Sequence, residues 1–137
     1  MSTLAIDTNV LVYAYDPSDS RKQQVAQDLI RRALVGEYVV SSQVLAEFAS
    51  TLLHKMSPVA HAGDVIAVLD ALGPIRVIET DGDTVRRAVE ARAEYGVHFY
   101  DGMIVAAAER AGCQRILSED LNHGQKYFGV AMDNPFR

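Results

Sequence analysis

Four acidic side chains occupy positions where the sequence predicts little water, which makes them the best candidates for chemistry in this chain. Asp7 ends the apolar run 4–6, where a short buried strand should stop, and Glu47, Asp101 and Asp120 lie at other element boundaries or on apolar segments. A carboxylate in such surroundings must be solvated, capped or bound to a cation. Four of them in one small chain predict a metal site.

The residue types in this set select the metal. Mg²⁺ and Mn²⁺ prefer carboxylate and water oxygens, whereas histidine and cysteine select softer metals. Without a cation, clustered carboxylates repel one another and their pKa values rise. A divalent cation lowers the pKa of a bound water, orients it in line with a phosphodiester and neutralises charge on the phosphorus oxygens, with or without a second cation. We therefore predict Mg²⁺ or Mn²⁺ as cofactor and hydrolysis without a protein nucleophile.

Each acid taken singly also has an ordinary explanation. Asp101 is placed to favour the N-terminus of a helix through the helix dipole, and Asp120 to occupy a turn or an N-cap. Glu47 borders the apolar face of a helix and is compatible with a half-exposed surface position. Asp7 is placed to cap a short helix that begins near Asn9. These alternatives stay open at the level of single residues.

Short β-branched runs alternate with longer helical ones, which is typical of an α/β fold with a parallel sheet covered on both faces. The predicted strands are Thr3–Ile6, Tyr38–Ser41, Ile75–Glu79, Arg115–Ser118 and a weak final one at Gly129–Met132. The predicted helices are Asn9–Tyr15, Ser20–Leu34, Ser42–Met56, Pro58–Leu72, Thr84–Tyr95 and Phe99–Ala111. Ser57 is expected to cap the helix at Pro58, and Gly96 and Gly112 are expected to end helices.

Two of the acids follow strands. Asp7 comes directly after the first strand, and Asp120 comes two residues after Ser118, at the end of the Arg115–Ser118 strand. In an open parallel sheet, ligands bind beyond the carboxyl ends of the strands, where the strand order reverses. If these two strands are neighbours, Asp7 and Asp120 converge at such a point.

The composition limits the number of domains and the kinds of site that the chain can contain. The 137 residues, 49% of them hydrophobic, predict one domain over residues 1–137 with a sizeable core. The single cysteine, Cys113, excludes an internal disulfide and a cysteine-based zinc finger. The formal net charge is −5, but without the four acids 14 acidic residues face 13 basic ones, so nearly all the excess belongs to the predicted site.

The N-terminus does not resemble a signal peptide, because Asp7 interrupts its apolar run, and no stretch approaches the roughly 20 apolar residues needed to span a bilayer. We therefore expect a cytoplasmic protein that does not enter membranes. The four histidines lack the spacing of a zinc site on one helix. We expect His98 and His123 in loops, and Tyr13 and Tyr15 in the core rather than stacked on bases.

Four sequence blocks, in order, resemble those of a PIN domain. They are Ile6-Asp7-Thr8-Asn9, Ser42-Gln43-Val44-Leu45-Ala46-Glu47-Phe48, Phe99-Tyr100-Asp101-Gly102-Met103-Ile104 and Leu117-Ser118-Glu119-Asp120-Leu121-Asn122-His123-Gly124. The layout is similar to that of the VapC toxins of toxin–antitoxin pairs. Tyr100 and Gly102 differ from the aromatic and alanine pair that is common around the third acid.

The resemblance implies a fold, a ligand set and an activity. It implies a three-layer α/β/α sandwich around a mainly parallel, twisted sheet of four to five strands. Asp7, Glu47, Asp101 and Asp120 match the acidic positions that hold Mg²⁺ or Mn²⁺, and Asn9 and Ser118 match supporting polar positions. The implied protein is a metal-dependent endoribonuclease, a homodimer and the toxin of a pair. Its antitoxin is expected in a groove between the Ser42–Met56 and Pro58–Leu72 helices.

An RNA substrate requires lysine or arginine around the acidic site to contact phosphates. We select Arg21, Arg32, Arg86 and Arg87 as candidates from the basic residues of the chain. Arg21 and Arg32 are 11 positions apart, close to three helical turns, so they should share one helix face. A solvated surface with scattered ion pairs is the alternative for each of them.

Two other functional classes share some of these features. In a Mg²⁺-dependent phosphatase, Asp7 would attack phosphorus, but the general acid expected two positions later is replaced by Asn9. A non-catalytic receiver-like module would need a lysine at the end of the final strand, and Lys126 precedes that strand. A partner-binding module would have to keep four clustered carboxylates without a cation, which is costly.

Overall fold

The computed structural model describes residues 3–55 and 61–137 of the chain. Its strands are β1 (Leu4–Ile6), β2 (Tyr38–Ser41), β3 (Arg76–Ile78), β4 (Arg115–Leu117), β5 (Lys126–Tyr127) and β6 (Val130–Asp133). Its helices are α1 (Thr8–Tyr15), α2 (Ser20–Leu34), α3 (Ser42–His54), α4 (Ala62–Ala71), α5 (Gly82–Tyr95) and α6 (Phe99–Arg110). The predicted alternation of strands and helices is confirmed.

All six strands belong to one sheet, in the order β3-β2-β1-β4-β6-β5. Every pairing is parallel except that of β5 with β6, which is antiparallel. Helix α1 packs on α2 and α3, and α3 packs on α4. Helix α5 packs on α6. The predicted α/β fold with helices flanking a mainly parallel sheet is confirmed, with one more strand than expected.

The extra strand, β5, is only two residues long and forms a small hairpin with β6. Phe128 and Gly129 form its turn, both with positive φ values, 48° and 81°. Within the hairpin, Tyr127 and Val130 are paired and buried. A two-residue strand is too short to show alternation, so its sequence does not reveal it.

Caps set most helix boundaries. Ser41 ends β2 and accepts a hydrogen bond from the Val44 backbone N–H, so α3 follows the strand without a loop. Asp81 and Thr84 form a capping box, which starts α5 two residues before its predicted start. Gly96, with φ of 71°, ends α5 as predicted.

The fourth helix differs from its prediction. It begins at Ala62, after His61 in an extended conformation, rather than at Pro58. The predicted Ser57-Pro58 cap and the predicted end of the preceding helix at Met56 lie outside the described residues.

The core lies on both faces of the sheet. Ile6 and Ile116 on the two central strands are fully buried, as are Leu11 of α1, Phe48 of α3 and Val105 of α6. Residues 102–108 of α6 are all buried, so the middle of this helix is enclosed by the protein. Among the described residues, no helix has the length and apolar character needed to cross a membrane.

Candidate metal centre

Strand adjacency brings Asp7 and Asp120 together. β1 and β4 are parallel neighbours, and the Asp7 backbone N–H continues their ladder by donating to the Leu117 carbonyl at 3.0 Å. β2 and β3 lie beyond β1, whereas β6 lies beyond β4, so the strand order reverses between β1 and β4. The predicted convergence at a topological switch point is confirmed.

The third acid, Asp101, lies on a helix. α6 leads into β4 and runs back across the sheet, so its first turn, with Asp101, lies at the carboxyl ends of the strands. One carboxylate oxygen from each of Asp7, Asp101 and Asp120 lies within 4.8 Å of the others. We call these three residues the acidic centre.

Glu47 borders the acidic centre and is not part of this close set. It lies in the second turn of α3, is exposed, and accepts hydrogen bonds from Thr8 Oγ1 at 3.2 Å and Gln43 Nε2 at 3.3 Å. The sequence places it correctly beside the apolar face of α3, because Val44 and Phe48 are buried. Its side chain, however, faces solvent at the rim of the centre rather than the protein interior.

Asp7 is the most enclosed of the acids, with 6% of its surface exposed. One oxygen accepts from the Thr8 backbone N–H at 2.7 Å, so Asp7 also caps α1. The other accepts from Ser118 Oγ at 2.7 Å. Burial raises the pKa of Asp7 to about 6, and the hydrogen bonds from Ser118 and Thr8 offset part of that rise.

Ser118 and Asn9 tie the two strand ends to each other. Ser118 is fully buried, donates to Asp7, and accepts from the Asp120 backbone N–H at 3.1 Å. The Asn9 amide nitrogen lies 3.0 Å from Asp120 Oδ2 and 3.2 Å from Ser118 Oγ. Both side chains therefore connect Asp120 to the end of β1 and restrict the separation between Asp7 and Asp120.

Asp101 shows the electrostatic cost of the cluster. Burial of this half-buried side chain raises its pKa, the negative charge of Asp120 raises it further, and His98 acts in the opposite direction. His98 caps α6 by accepting from the Tyr100 backbone N–H at 3.2 Å. Repulsion between neighbouring carboxylates is the force that a bound cation would remove.

A second network, which the sequence did not reveal, anchors the loop that carries Asp120. Glu119 accepts hydrogen bonds from Tyr13 Oη and from Lys22 Nζ, the latter at 2.9 Å, and Lys22 Nζ lies 4.8 Å from the centre of the Tyr13 ring. The Glu119 backbone N–H donates to Asn9 Oδ1 at 3.4 Å. These partners lie about 100 positions apart in the chain, so spacing could not connect them.

The donor set suits a hard cation. It consists of carboxylate oxygens, which Mg²⁺ and Mn²⁺ prefer. Across residues 3–55 and 61–137, no lysine or arginine forms an ion pair with Asp7, Glu47, Asp101 or Asp120. The charge of the acidic centre is therefore not balanced by ion pairs with lysine or arginine among the described residues.

The arginines selected as RNA contacts lie in different surroundings. Arg21 donates to the Phe136 carbonyl at 2.6 Å, and Arg32 is exposed on the same helix. Arg86 is exposed, but Arg87 makes two hydrogen bonds to Glu109 and stacks on Phe128 at 3.5 Å. The structure thus gives Arg87 a structural role.

The sequence was also compared with known families. The PIN domain family model matches residues 4–129, which include all four acids. The chain belongs to the PIN domain family. A comparison with curated protein sequences finds no significant match.

Solved structures with the same fold include toxins of toxin–antitoxin pairs. A chain of a DNA-bound VapBC from Salmonella typhimurium aligns with a TM-score of 0.70 at 18% identity, over 98% of this chain and 99% of the other. A chain of a toxin–antitoxin complex from Klebsiella pneumoniae aligns with a TM-score of 0.68 at 18% identity, over 98% of both chains. VapC20 of Mycobacterium tuberculosis, a toxin that cleaves the sarcin–ricin loop, aligns with a TM-score of 0.64 at 20% identity, over 86% of this chain and 92% of the other.

This PIN domain departs from the common pattern at Gly102, and the structure explains the change. A Cβ atom at Gly102 would lie 2.8 Å from the Ala88 carbonyl oxygen of α5. The glycine therefore lets α5 and α6 approach closely at the residue next to Asp101. Asp101 keeps its place in the first turn of α6, on a helix that packs closely against α5.

Proposed function

We propose that this PIN domain is a metal-dependent endoribonuclease that hydrolyses RNA phosphodiester bonds, and that it is the toxin of a toxin–antitoxin pair. The observation that carries the proposal is the acidic centre: three carboxylates within 4.8 Å, at the switch point of a parallel sheet, without a cationic side chain paired to them among the described residues. Membership of the PIN family supports the nuclease assignment.

In this proposal the acidic residues have different roles, which follow from their positions. Asp7, Asp101 and Asp120 hold Mg²⁺ or Mn²⁺, and Glu47 adds a carboxylate at the solvent-facing rim. A bound divalent cation supplies water activation and neutralises charge at the scissile phosphate. Ser118 and Asn9 keep Asp7 and Asp120 at their separation, which favours a preorganised site over one that must assemble around the cation.

Asn9 argues against the phosphatase alternative. Each carboxylate oxygen of Asp7 accepts one short hydrogen bond, from Thr8 or from Ser118, and keeps a second lone pair that can bind a cation. A phosphatase that forms an aspartyl-phosphate also needs a general acid, and the side-chain amide of Asn9 cannot donate that proton. Asp7 therefore fits the role of a cation ligand better than that of a nucleophile.

The toxin assignment rests on likeness to the toxin–antitoxin structures and on α4. In this helix Val65 is buried, whereas Ile66 leaves 57% of its surface exposed. We propose that an antitoxin helix packs on α3 and α4 there, and that the toxin forms a homodimer. Ile66→Asp should then prevent an antitoxin from suppressing the toxin, and light scattering on the purified chain measures the dimer.

RNA cleavage by the purified chain tests the activity. We expect Mn²⁺ or Mg²⁺ to support cleavage of RNA, EDTA to stop it, and Asp101→Asn to abolish it. Glu109→Gln is the matched control, because Glu109 lies on the same helix and is paired with Arg87. Equal cleavage by Asp101→Asn and the parent would contradict the proposal and indicate a contaminating nuclease.

Mapping RNA ends in cells that express the chain identifies the substrate. The parent should arrest growth and produce new ends at defined sites, whereas Asp101→Asn should do neither. Cleavage at one site in tRNA or ribosomal RNA would define the substrate class. Growth arrest that persists with Asp101→Asn would show that the toxicity does not come from the acidic centre.

A further inference from the structure

An aromatic side chain is exposed at the start of α6, the helix that carries Asp101 of the acidic centre. Tyr100 leaves 55% of its surface exposed, whereas every other tyrosine and phenylalanine of the described residues is buried or partly buried. It directly precedes Asp101 in the first turn of α6. Aromatic rings contribute most to stability when they are buried, so an exposed ring at this position calls for a different explanation.

The Tyr100 ring is held in place on one side. His98 stacks against it, with ring centroids 5.8 Å apart and planes inclined by 28°, and Phe99 meets it edge-on at 5.3 Å. The His98 ring is itself fixed by the hydrogen bond that caps α6. We call His98 and Tyr100 the aromatic platform.

The backbone below the platform is rigid as well. Gly102 lies two residues after Tyr100, where α6 touches the Ala88 carbonyl of α5 so closely that a Cβ atom would not fit. α6 is buried along residues 102–108 and cannot rotate without disturbing the core. The platform therefore offers a preorganised surface, which lowers the entropic cost of binding a flat ligand.

Positive charge lies next to the platform. Arg92 is exposed and donates to the Val97 carbonyl at 3.0 Å, which places its guanidinium group on the short loop that leads to His98. An aromatic ring at the start of α6 and a cation bound to the loop before it match the two parts of a nucleotide, since bases stack on aromatic rings and phosphates attract arginine.

We propose that Tyr100, backed by His98, stacks on an unpaired nucleobase next to the scissile phosphate. This inference rests on the proposed ribonuclease function and narrows its substrate to RNA with an unpaired base at that position. Bases inside a duplex are stacked on one another, so paired RNA could not use the platform unless a base were flipped out.

Fluorescence tests the stacking directly, because the chain contains no tryptophan. Tyr100→Trp introduces one fluorophore at the platform, and titration with a short single-stranded RNA in EDTA should quench its emission. An oligonucleotide of the same length with abasic sugars should not quench it. Val35→Trp is the matched control, since Val35 is 87% exposed and lies at the end of α2, just before β2.

Kinetics test the contribution to substrate binding. For cleavage of a short unstructured RNA with Mn²⁺, Tyr100→Ala should raise KM by roughly 5- to 100-fold, the range of one base stack, and Tyr100→Phe should leave it near the parent value. Tyr100→Leu, which keeps the apolar bulk but not the flat ring, should resemble the alanine variant.

Three results would overturn the platform while leaving the ribonuclease proposal standing. They are an unchanged KM in Tyr100→Ala, equal quenching by the abasic oligonucleotide, and unchanged RNA cleavage by Tyr100→Ala combined with lost binding of an antitoxin. If the parent does not cleave RNA at all, the ribonuclease proposal fails, and the titration of Tyr100→Trp in EDTA still decides whether this surface stacks bases.

Discussion

The two ends of α6 differ in whether their acidic residues are paired with basic ones. At its N-terminal end lies the acidic centre, whose carboxylates have no lysine or arginine partner among the described residues. About 12 Å along the axis, Glu109 makes hydrogen bonds of 2.8 and 2.9 Å to Arg87, and Arg110 pairs with Asp81. We call these four residues the paired end.

The pKa shifts follow the pairing. Hydrogen bonding to Arg110 holds the pKa of Asp81 well below its ordinary value, whereas burial and the charge of Asp120 raise the pKa of Asp101. Asp81 therefore stabilises the fold when it is ionised, whereas ionised Asp7 and Asp101 oppose folding until a cation binds. The contrast separates a structural use of acidic residues from a functional one.

Asp7→Asn should give the largest effect on stability. The pKa of Asp7 rises from 3.8 unfolded to about 6 folded, so its stabilising contribution is complete below pH 3.8 and lost as the pH rises through 6. At pH 7.5 the ionised side chain costs roughly 3 kcal/mol in the metal-free protein. Denaturant unfolding in EDTA should show Asp7→Asn more stable than the parent at pH 7.5 and little different at pH 4.

Glu109→Gln is the matched control, and its effect should have the opposite sign. It breaks the pair with Arg87 and should lower the free energy of unfolding at pH 7.5. If Asp7→Asn were also destabilising there, Asp7 would be a structural acid and the contrast between the two ends would not hold.

Cation binding should give the next largest effect. A cation that binds only the folded chain stabilises it by about 2.7 kcal/mol at a hundred times its Kd. Mn²⁺ should raise the melting temperature of the parent and of Glu109→Gln, and not that of Asp101→Asn. An equal rise in all three would place the cation elsewhere on the chain.

Lys22→Met should weaken cation binding without removing a ligand. Lys22 holds Glu119, whose loop carries Asp120, and groups that orient ligands in this way typically change affinity by about 10- to 100-fold. We expect an effect near the lower figure for Mn²⁺, because Asn9 and Ser118 hold the same loop.

Calorimetry with Mn²⁺, together with melting in EDTA, separates positioning from folding. Lys126→Met serves as the control, since Lys126 is exposed on β5. A change in melting temperature of Lys22→Met without a change in Mn²⁺ affinity would restrict the Lys22 network to a structural role.

The acidic centre was more predictable than the network that supports it. Strand ends can be read from apolar runs, and the switch-point rule then predicts that Asp7 and Asp120 meet. Asp101 was found because a charge interrupts an otherwise apolar helix. Lys22 and Glu119 carry no such signal, since they come together only when α2 packs beside the loop after β4.

The ion pairs of the paired end could not be predicted from the sequence either, and the reason is similar. The sequence makes Arg87 a candidate RNA contact, because it is basic and lies on a predicted helix. Its partner Glu109 lies 22 positions away, on α6, and the ring of Phe128 beneath it belongs to the β5–β6 hairpin. Pairings of this kind depend on how two helices dock, and helical spacing within α5 points instead to Asp83 and Glu90.

Asp81→Ala should give the smallest effect and completes the comparison at the paired end. It removes both the cap of α5 and the partner of Arg110, so we expect a fall in melting temperature of a few degrees. Asp81→Asn keeps a capping side chain and removes only the charge, so its fall should be smaller. Because the pKa of Asp81 is lowered in the folded chain, the difference between parent and Asp81→Asn should be complete above pH 3.8, decline below it, and vanish only as the pH falls through the lowered pKa of the folded state. The fall should be the same with Mn²⁺ and with EDTA, because no residue of the paired end belongs to the acidic centre; a fall that depends on Mn²⁺ would show that α6 couples its two ends.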